Sequence, residues 1–202
     1  DFISTQNWTT SIYDRMLESY SKFQDKPIFN IEHGGYESGP YHVFEGDYDD
    51  AIACLDRNYR CAFAGTYSTY YWQDTSWNVV VWDQATLPKA DRPRYDLYKH
   101  MSRFFNDVNY ASFKPLDRKT NRKSSSGHVM WNEEDEFLFY LPAVNERIAT
   151  TLKEFYGHPM TAQWFNPLTG DYSSKEVVTI EQHLRFEPPW QKQPAVLHLS
   201  KQ

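Results

Sequence analysis

Cysteine is nearly absent from this sequence: Cys54 and Cys61 are the only two among 202 residues. If the helix predicted around Cys54 runs on, seven residues separate the pair by about 10 Å, too far for a disulfide. The spacing of metal ligands is missing as well, so two buried free thiols are expected and cysteine usage leaves the compartment open. Long apolar runs are also lacking, and none approaches the roughly 18 residues of a membrane helix. Positive charge is scarce. A formal charge of −6 argues against a nucleic-acid partner. The one basic cluster, Arg118 to Lys123, lies in a polar stretch ending Ser124-Ser125-Ser126-Gly127 and reads as a solvated linker or loop. The seven histidines show no metal spacing, and the serine-nucleophile elbow, the phosphate loop and the dinucleotide fingerprint are all missing. No cofactor and no metal is expected. The sequence begins at Asp1 with neither a methionine nor a charged-then-apolar leader, the mark of a processed chain or of an internal piece of a longer one.

Aromatic residues, by contrast, are plentiful: 17% of the chain, with 15 Tyr and 7 Trp. Such side chains build cores, and where exposed they form platforms for amphipathic ligands. The first half alternates strand and helix signals. Asp1 to Gln6 reads as a strand, and Thr9-Thr10-Ser11 can cap a helix with Ile12, Met16, Leu17, Tyr20 and Phe23 on its apolar face. Pro27 to Glu32 is a second strand, Asp47 to Arg60 a second helix, Cys61 to Tyr67 a third strand, and Arg92 to Phe105 a third helix. That order is the pattern of parallel βαβ units.

Beyond Asn106 the pattern changes. Six short segments, 128–131, 136–141, 147–152, 160–165, 177–180 and 195–199, carry strand character, and several alternate polar with apolar residues. Turn residues separate them at Asn132 to Asp135, Tyr156 to Pro159 and Asn166 to Gly170. These features predict a small antiparallel β-sandwich with a boundary near residues 107 to 113. We assign residues 1–108 to the α/β part and 109–202 to the sandwich. About 90 residues can close a sandwich core, whereas three βα units cannot close a (β/α)8 TIM barrel, which needs eight strands and typically about 250 residues. The first part is therefore expected to be completed by an N-terminal barrel segment, on the same protein or on another chain.

The second strand carries the most informative residue. Ile28, Phe29 and Ile31 deliver Glu32 to a strand end that Gly34-Gly35 then breaks. Catalytic groups of α/β barrels collect at such ends. A glutamate at the mouth of a loop is the plain alternative. After the third strand, Trp72 and Trp77 either form the wall of a ligand subsite or pack under a loop, and both readings stay open. Gln6 and Asn7, at the end of the first strand, are candidates for polar contacts to a ligand. Trp190, after Pro188-Pro189, reads as a plug of the sandwich or of its junction with the first part.

Together these segments show a resemblance. Asp-Phe-Ile-x-Thr-Gln (1–6), Lys-Pro-Ile-x-Asn-x-Glu (26–32) with Tyr36-Glu37, and Ala64-Gly65 leading to aromatics resemble the apiosidase-like glycoside hydrolases, bacterial (β/α)8-barrel enzymes of a large retaining clan. Phe139 to Pro142, Ala162 to Gly170 and Phe186 to Trp190 resemble the collagen-binding-like domain that follows the barrel in this group. The resemblance implies that the chain is the C-terminal part of a TIM barrel, strands six to eight, followed by a small antiparallel β-sandwich. It implies retaining hydrolysis of O-glycosidic bonds in an oligo- or polysaccharide, with Glu32 as nucleophile. The acid/base, carried by strand four, would lie outside this chain. An ionised nucleophile needs hydrogen-bond donors around it, and His33, Tyr36, Tyr70 and Asn30 are the candidates. Polymeric substrates imply a secreted or periplasmic protein. A non-catalytic carbohydrate- or matrix-binding protein is the alternative.

Overall fold

The computed structural model of the chain describes residues 1–33, 51–70, 83–89, 92–116, 128–182 and 184–202. Tyr36, Trp72, Trp77 and the basic cluster at 118–123 lie outside the described residues. The chain divides into two compact units, Asp1–Tyr98 and Lys99–Gln202.

In the first unit, β1 (Ile3–Gln6), β2 (Ile28–Glu32) and β3 (Tyr67–Ser68) form a parallel sheet in that order. Helix α1 (Ile12–Lys22) follows β1, and α2 (Ala51–Phe63) precedes β3. Both helices are amphipathic. Ile12, Tyr13, Met16 and Leu17 are the buried stripe of α1; Cys54, Leu55, Tyr59, Cys61 and Phe63 are buried on α2. Ser11 occupies the N-cap position of α1 without a side-chain capping bond, and Asn7 Oδ1 accepts the Thr9 backbone N–H at 3.2 Å one turn earlier.

The segment Cys61 to Tyr67 departs from the strand its small apolar residues predict. Residues 61–63 are the last turn of α2, which ends in a Schellman motif: the Thr66 N–H reaches Cys61 O at 3.1 Å and the Gly65 N–H reaches Ala62 O at 2.9 Å. Gly65 takes the left-handed conformation the motif requires (φ +75°). Strand β3 is only the two residues that follow. Both cysteines therefore lie on one helix as buried free thiols, and burial pushes the Cys61 thiol up to about 12.

The helices cover one face of the sheet, where Ile28 and Asn30 are buried. The other face is open and apolar. Phe2 (62% exposed), Phe29, Ile31 (41%) and Tyr67 (51%) lie on it, with Phe29 against Phe2 and Tyr67 at ring-centroid distances of 6.3 Å. Asp1, Phe2, Pro27, Phe29 and Ile31 line an open hollow of about 510 Å³ there.

In the second unit, six antiparallel strands run in the order β4-β5-β6-β11-β8-β9. They are β4 (Lys114–Pro115), β5 (His128–Trp131), β6 (Glu136–Leu141), β11 (Ala195–Lys201), β8 (Pro159–Phe165) and β9 (Glu176–Thr179). A two-stranded ribbon of β7 (Ile148–Thr150) and β10 (Leu184–Phe186) lies apart from them in pairing. Its Ile148 and Phe186 join Phe137, Phe139, Leu141, Trp164, Leu197 and Leu199 in one apolar core. On the opposite face of β8, Phe165 stacks on Phe104 of α3 (Tyr95–Asp107) at 4.6 Å.

Two turns carry this unit. Asn132 Oδ1 accepts the backbone N–H groups of Glu134, Asp135 and Glu136 at 2.9, 3.0 and 3.0 Å, closing the β5–β6 hairpin. Asn166 Oδ1 does the same for Leu168 at 2.8 Å, and Gly170 closes that loop with φ +75° while its carbonyl accepts from Arg103.

Candidate functional site

Strand alternation alone would put Glu32 on the helix-covered face with Ile28 and Asn30. The pairing of β1 with β2 prevents this. Ile3, Ser4 and Thr5 pair with Ile28, Phe29 and Asn30 in turn, and then Gln6 pairs with Glu32, so Ile31 is one extra residue in β2. Such a bulge re-aims the side chain that follows it. Gln6 has the same parity as Phe2 and Ser4, which face the open side, and Glu32 now shares that side with it. The Gln6 amide donates to Glu32 Oε2 at 2.6 Å. Glu32 is half-buried, an oriented carboxylate at the C-terminal edge of a parallel sheet.

The bulge is held from three directions. Across it, the Asn30 side chain grips Asn7, whose N–H also reaches Glu32 O at 3.2 Å: Asn30 Oδ1 accepts that N–H at 3.2 Å and its Nδ2 donates to Asn7 O at 3.3 Å. On the other flank, Thr69 fastens β2 at successive points. Its N–H donates to Asn30 O at 3.3 Å, its hydroxyl donates to Ile31 O at 3.0 Å, and its carbonyl accepts from His33 Nε2 at 2.7 Å. Beneath, the guanidinium of Arg57 on α2 donates to the carbonyls of His33, Thr9 (3.2 Å) and Asn7 (3.4 Å), joining the ends of β1 and β2. Arg57 is buried, and five fixed donors on one planar group suit it to gather carbonyls that lie beyond the ends of β1 and β2.

His33 is fully buried. Donation to the Thr69 carbonyl fixes its proton on Nε2, and its Nδ1 has no hydrogen-bond partner among the described residues. Burial foremost, and to a lesser degree the nearby Arg57 charge, lowers its pKa to about 4 against the opposing pull of the Thr69 carbonyl. The ring is neutral at physiological pH and ties the end of β2 to the residue after β3.

The structure thus brings Glu32 and Gln6 together. Asn30 and His33, expected to donate to Glu32, instead hold the backbone on either side of it. Asn7 is half-buried, its side-chain oxygen accepting from both the backbone N–H (3.2 Å) and the hydroxyl (3.0 Å) of Thr9. Tyr70 packs its ring on Tyr98 at 4.2 Å, and its hydroxyl accepts the Arg94 backbone N–H at 2.9 Å. Arg57 and Thr69 were not anticipated. A polar signal exists for Arg57: with Asn58 it interrupts the apolar stripe of α2, and Asn58 also proves buried, donating to Tyr98 and accepting from Ser68 at 2.7 Å. Chemically, one oriented carboxylate can attack an electrophilic carbon or exchange a proton. Cleaving a glycosidic bond with retention needs a second carboxyl group about 5 Å away. Among the described residues there is no cluster of three or more His, Cys, Asp or Glu side chains suited to a metal ion, and no helix long and apolar enough to cross a membrane.

Residues 116–198 match the family model described as "Putative collagen-binding domain of a collagenase". No curated protein matches the sequence. Among solved structures, a glycoside hydrolase superposes on 98% of this chain and 51% of its own, with a TM-score of 0.68 and 13% identity. A glycoside hydrolase family 5 protein from Bacteroides vulgatus ATCC 8482 does so over 98% of this chain and 49% of its own, with a TM-score of 0.69 and 12% identity. At these identities the likeness is one of fold, a mixed α/β chain rich in sheet. This chain spans about half the length of those two structures.

Proposed function

We propose that the chain is the C-terminal part of a retaining glycoside hydrolase of apiosidase-like type, with Glu32 as its nucleophile. In this reading β1, β2 and β3 are strands six to eight of a (β/α)8 barrel within residues 1–108, and residues 109–202 form a β-sandwich. The open face of Phe2, Phe29, Ile31 and Tyr67 is then the barrel interior, which an N-terminal barrel segment covers. That segment supplies the acid/base from strand four. The observation that carries the proposal is the bulge at Ile31, which turns Glu32 toward the open face and under the Gln6 amide. The solved glycoside hydrolases of similar fold, about twice as long, support the same assignment.

The reaction follows from two carboxyl groups. Glu32 attacks the anomeric carbon while the acid protonates the departing oxygen; the resulting glycosyl ester is then cleaved by water that the second group deprotonates. Gln6 holds the attacking carboxylate in place. Asn7, Tyr70 and, from the segments outside the described residues, Tyr36, Trp72 and Trp77 contact the sugar. His33 serves from below by fixing the strand end. The substrate is an oligo- or polysaccharide met outside the cytoplasm.

The test is release of reducing sugar from plant and matrix polysaccharides by the protein carrying its upstream segment, compared with Glu32→Gln. The variant should keep its fold and lose at least a thousandfold in turnover, about 4 kcal/mol of transition-state stabilisation. Undiminished turnover removes Glu32 from the mechanism. A second reading, a non-catalytic carbohydrate- or matrix-binding protein, draws on the family match of residues 116–198. It predicts saccharide or matrix binding without turnover in either version.

A further inference from the structure

The second unit holds a cleft unrelated to Glu32. Its position follows from two strand registers. Leu141 at the end of β6 pairs with Ala195 at the start of β11, and Ile148 at the start of β7 pairs with Phe186 at the end of β10. The loops 142–147 and 187–194 are therefore held side by side where the six-stranded sheet meets the ribbon. Between them lies a cleft of about 320 Å³.

Trp190 lines this cleft and is half-buried, part of its indole packed against the core of the unit. A tryptophan anchored in this way presents a rigid apolar surface at little entropic cost. The amides of Asn145 and Gln191, both exposed, line the same cleft. Two acids, Glu146 and Glu187, are balanced by two bases, Arg147 and Lys192, so the walls carry no net formal charge. Lys192 adopts a left-handed backbone (φ +54°), a conformation uncommon for lysine that shapes the loop beside Trp190.

An aromatic surface with many donors and acceptors and no net charge suits a ligand that is itself neutral, hydroxyl-rich and apolar on one side. A charged ligand gains no net Coulomb attraction from walls whose formal charges cancel. We propose that the Trp190 cleft is a binding site for a neutral saccharide chain, separate from the Glu32 site. The preference for saccharide over other neutral polar ligands rests on the glycoside hydrolase reading above.

The test is mobility of the full chain in native gels containing xyloglucan, arabinoxylan or mixed-linkage β-glucan, with gelatin as the polypeptide arm. The expected result is retardation by at least one neutral polysaccharide. Trp190→Ala should weaken it tenfold or more, and Asn145→Ala with Gln191→Ala, which alters only exposed side chains, should weaken it severalfold. Because the acid/base of the Glu32 reading lies outside this chain, retardation of the chain is read without any turnover, and its absence sinks the cleft proposal while leaving the Glu32 assignment to its own assay. Mobility unaffected by every polysaccharide overturns the cleft proposal. So does retardation that survives both cleft variants, or retardation confined to gelatin.

Discussion

Acidification gives a quantitative test of how the Glu32 strand is held. His33 is fully buried beside Arg57, and its pKa falls from 6.5 to about 4. Because the folded value is depressed, the unfolded chain takes up the proton first as pH falls. The stability this residue contributes is complete above about pH 6.5 and disappears progressively down to about pH 4. The gap between the two values corresponds to about 3 kcal/mol, of which about 2 kcal/mol is lost by pH 5. His33→Gln separates this from every other acid-titrating group. A glutamine amide can still donate to the Thr69 carbonyl, which His33 Nε2 engages at 2.7 Å, and it does not titrate. Urea unfolding followed by helix ellipticity, run at pH 7 and pH 5 on both chains, measures the difference. The variant should start about 1 kcal/mol less stable from lost packing and imperfect hydrogen bonding. It should then lose about 2 kcal/mol less than the parent between the two pH values. Parallel losses in the two chains would refute a buried neutral imidazole at this position.

Further outcomes follow from the same geometry. Arg57→Met keeps most of the side-chain volume but leaves the carbonyls of His33, Thr9 and Asn7 without their donor; thermal unfolding should register a loss of about 3 kcal/mol. An unchanged midpoint would mean that the bulge does not depend on the guanidinium. Gly170→Ala adds a Cβ that lands on the His100 imidazole at a left-handed position (φ +75°). It should destabilise the second unit by about 2–3 kcal/mol, read in urea by tryptophan fluorescence. His100→Ala in the same chain should recover only part of that loss, since the backbone strain remains. Glu32→Gln and Trp190→Ala complete the set, the first read in turnover and the second in polysaccharide retardation.

Much of this was written in local sequence. The apolar stripe of α1 placed Ile12, Met16 and Leu17 inside, and Asn132 and Asn166 marked turns that their side chains do close. The segment at 136–141 became a strand over those same residues. Local signals sufficed because helix periodicity and turn chemistry depend on neighbours along the chain. They failed at Cys61 to Phe63, where small apolar residues suit a buried strand and the last turn of a buried helix equally well; Gly65, with its capping role, was the available clue. The three-residue β10 and two-residue β4 carried too few residues to show a pattern.

Composition and order along the chain fixed that a carboxylate would end the second strand. Which way that carboxylate faces was decided by tertiary structure. Taken alone, β2 would turn Glu32 toward the helices, because alternation is a property of one strand. The extra residue at Ile31 exists only relative to β1, and Asn30, Thr69 and Arg57 hold the backbone beside and beyond it. Those partners come from residues 23 to 50 positions away from the groups they bind, a distance over which no local pattern in the sequence can report a hydrogen bond.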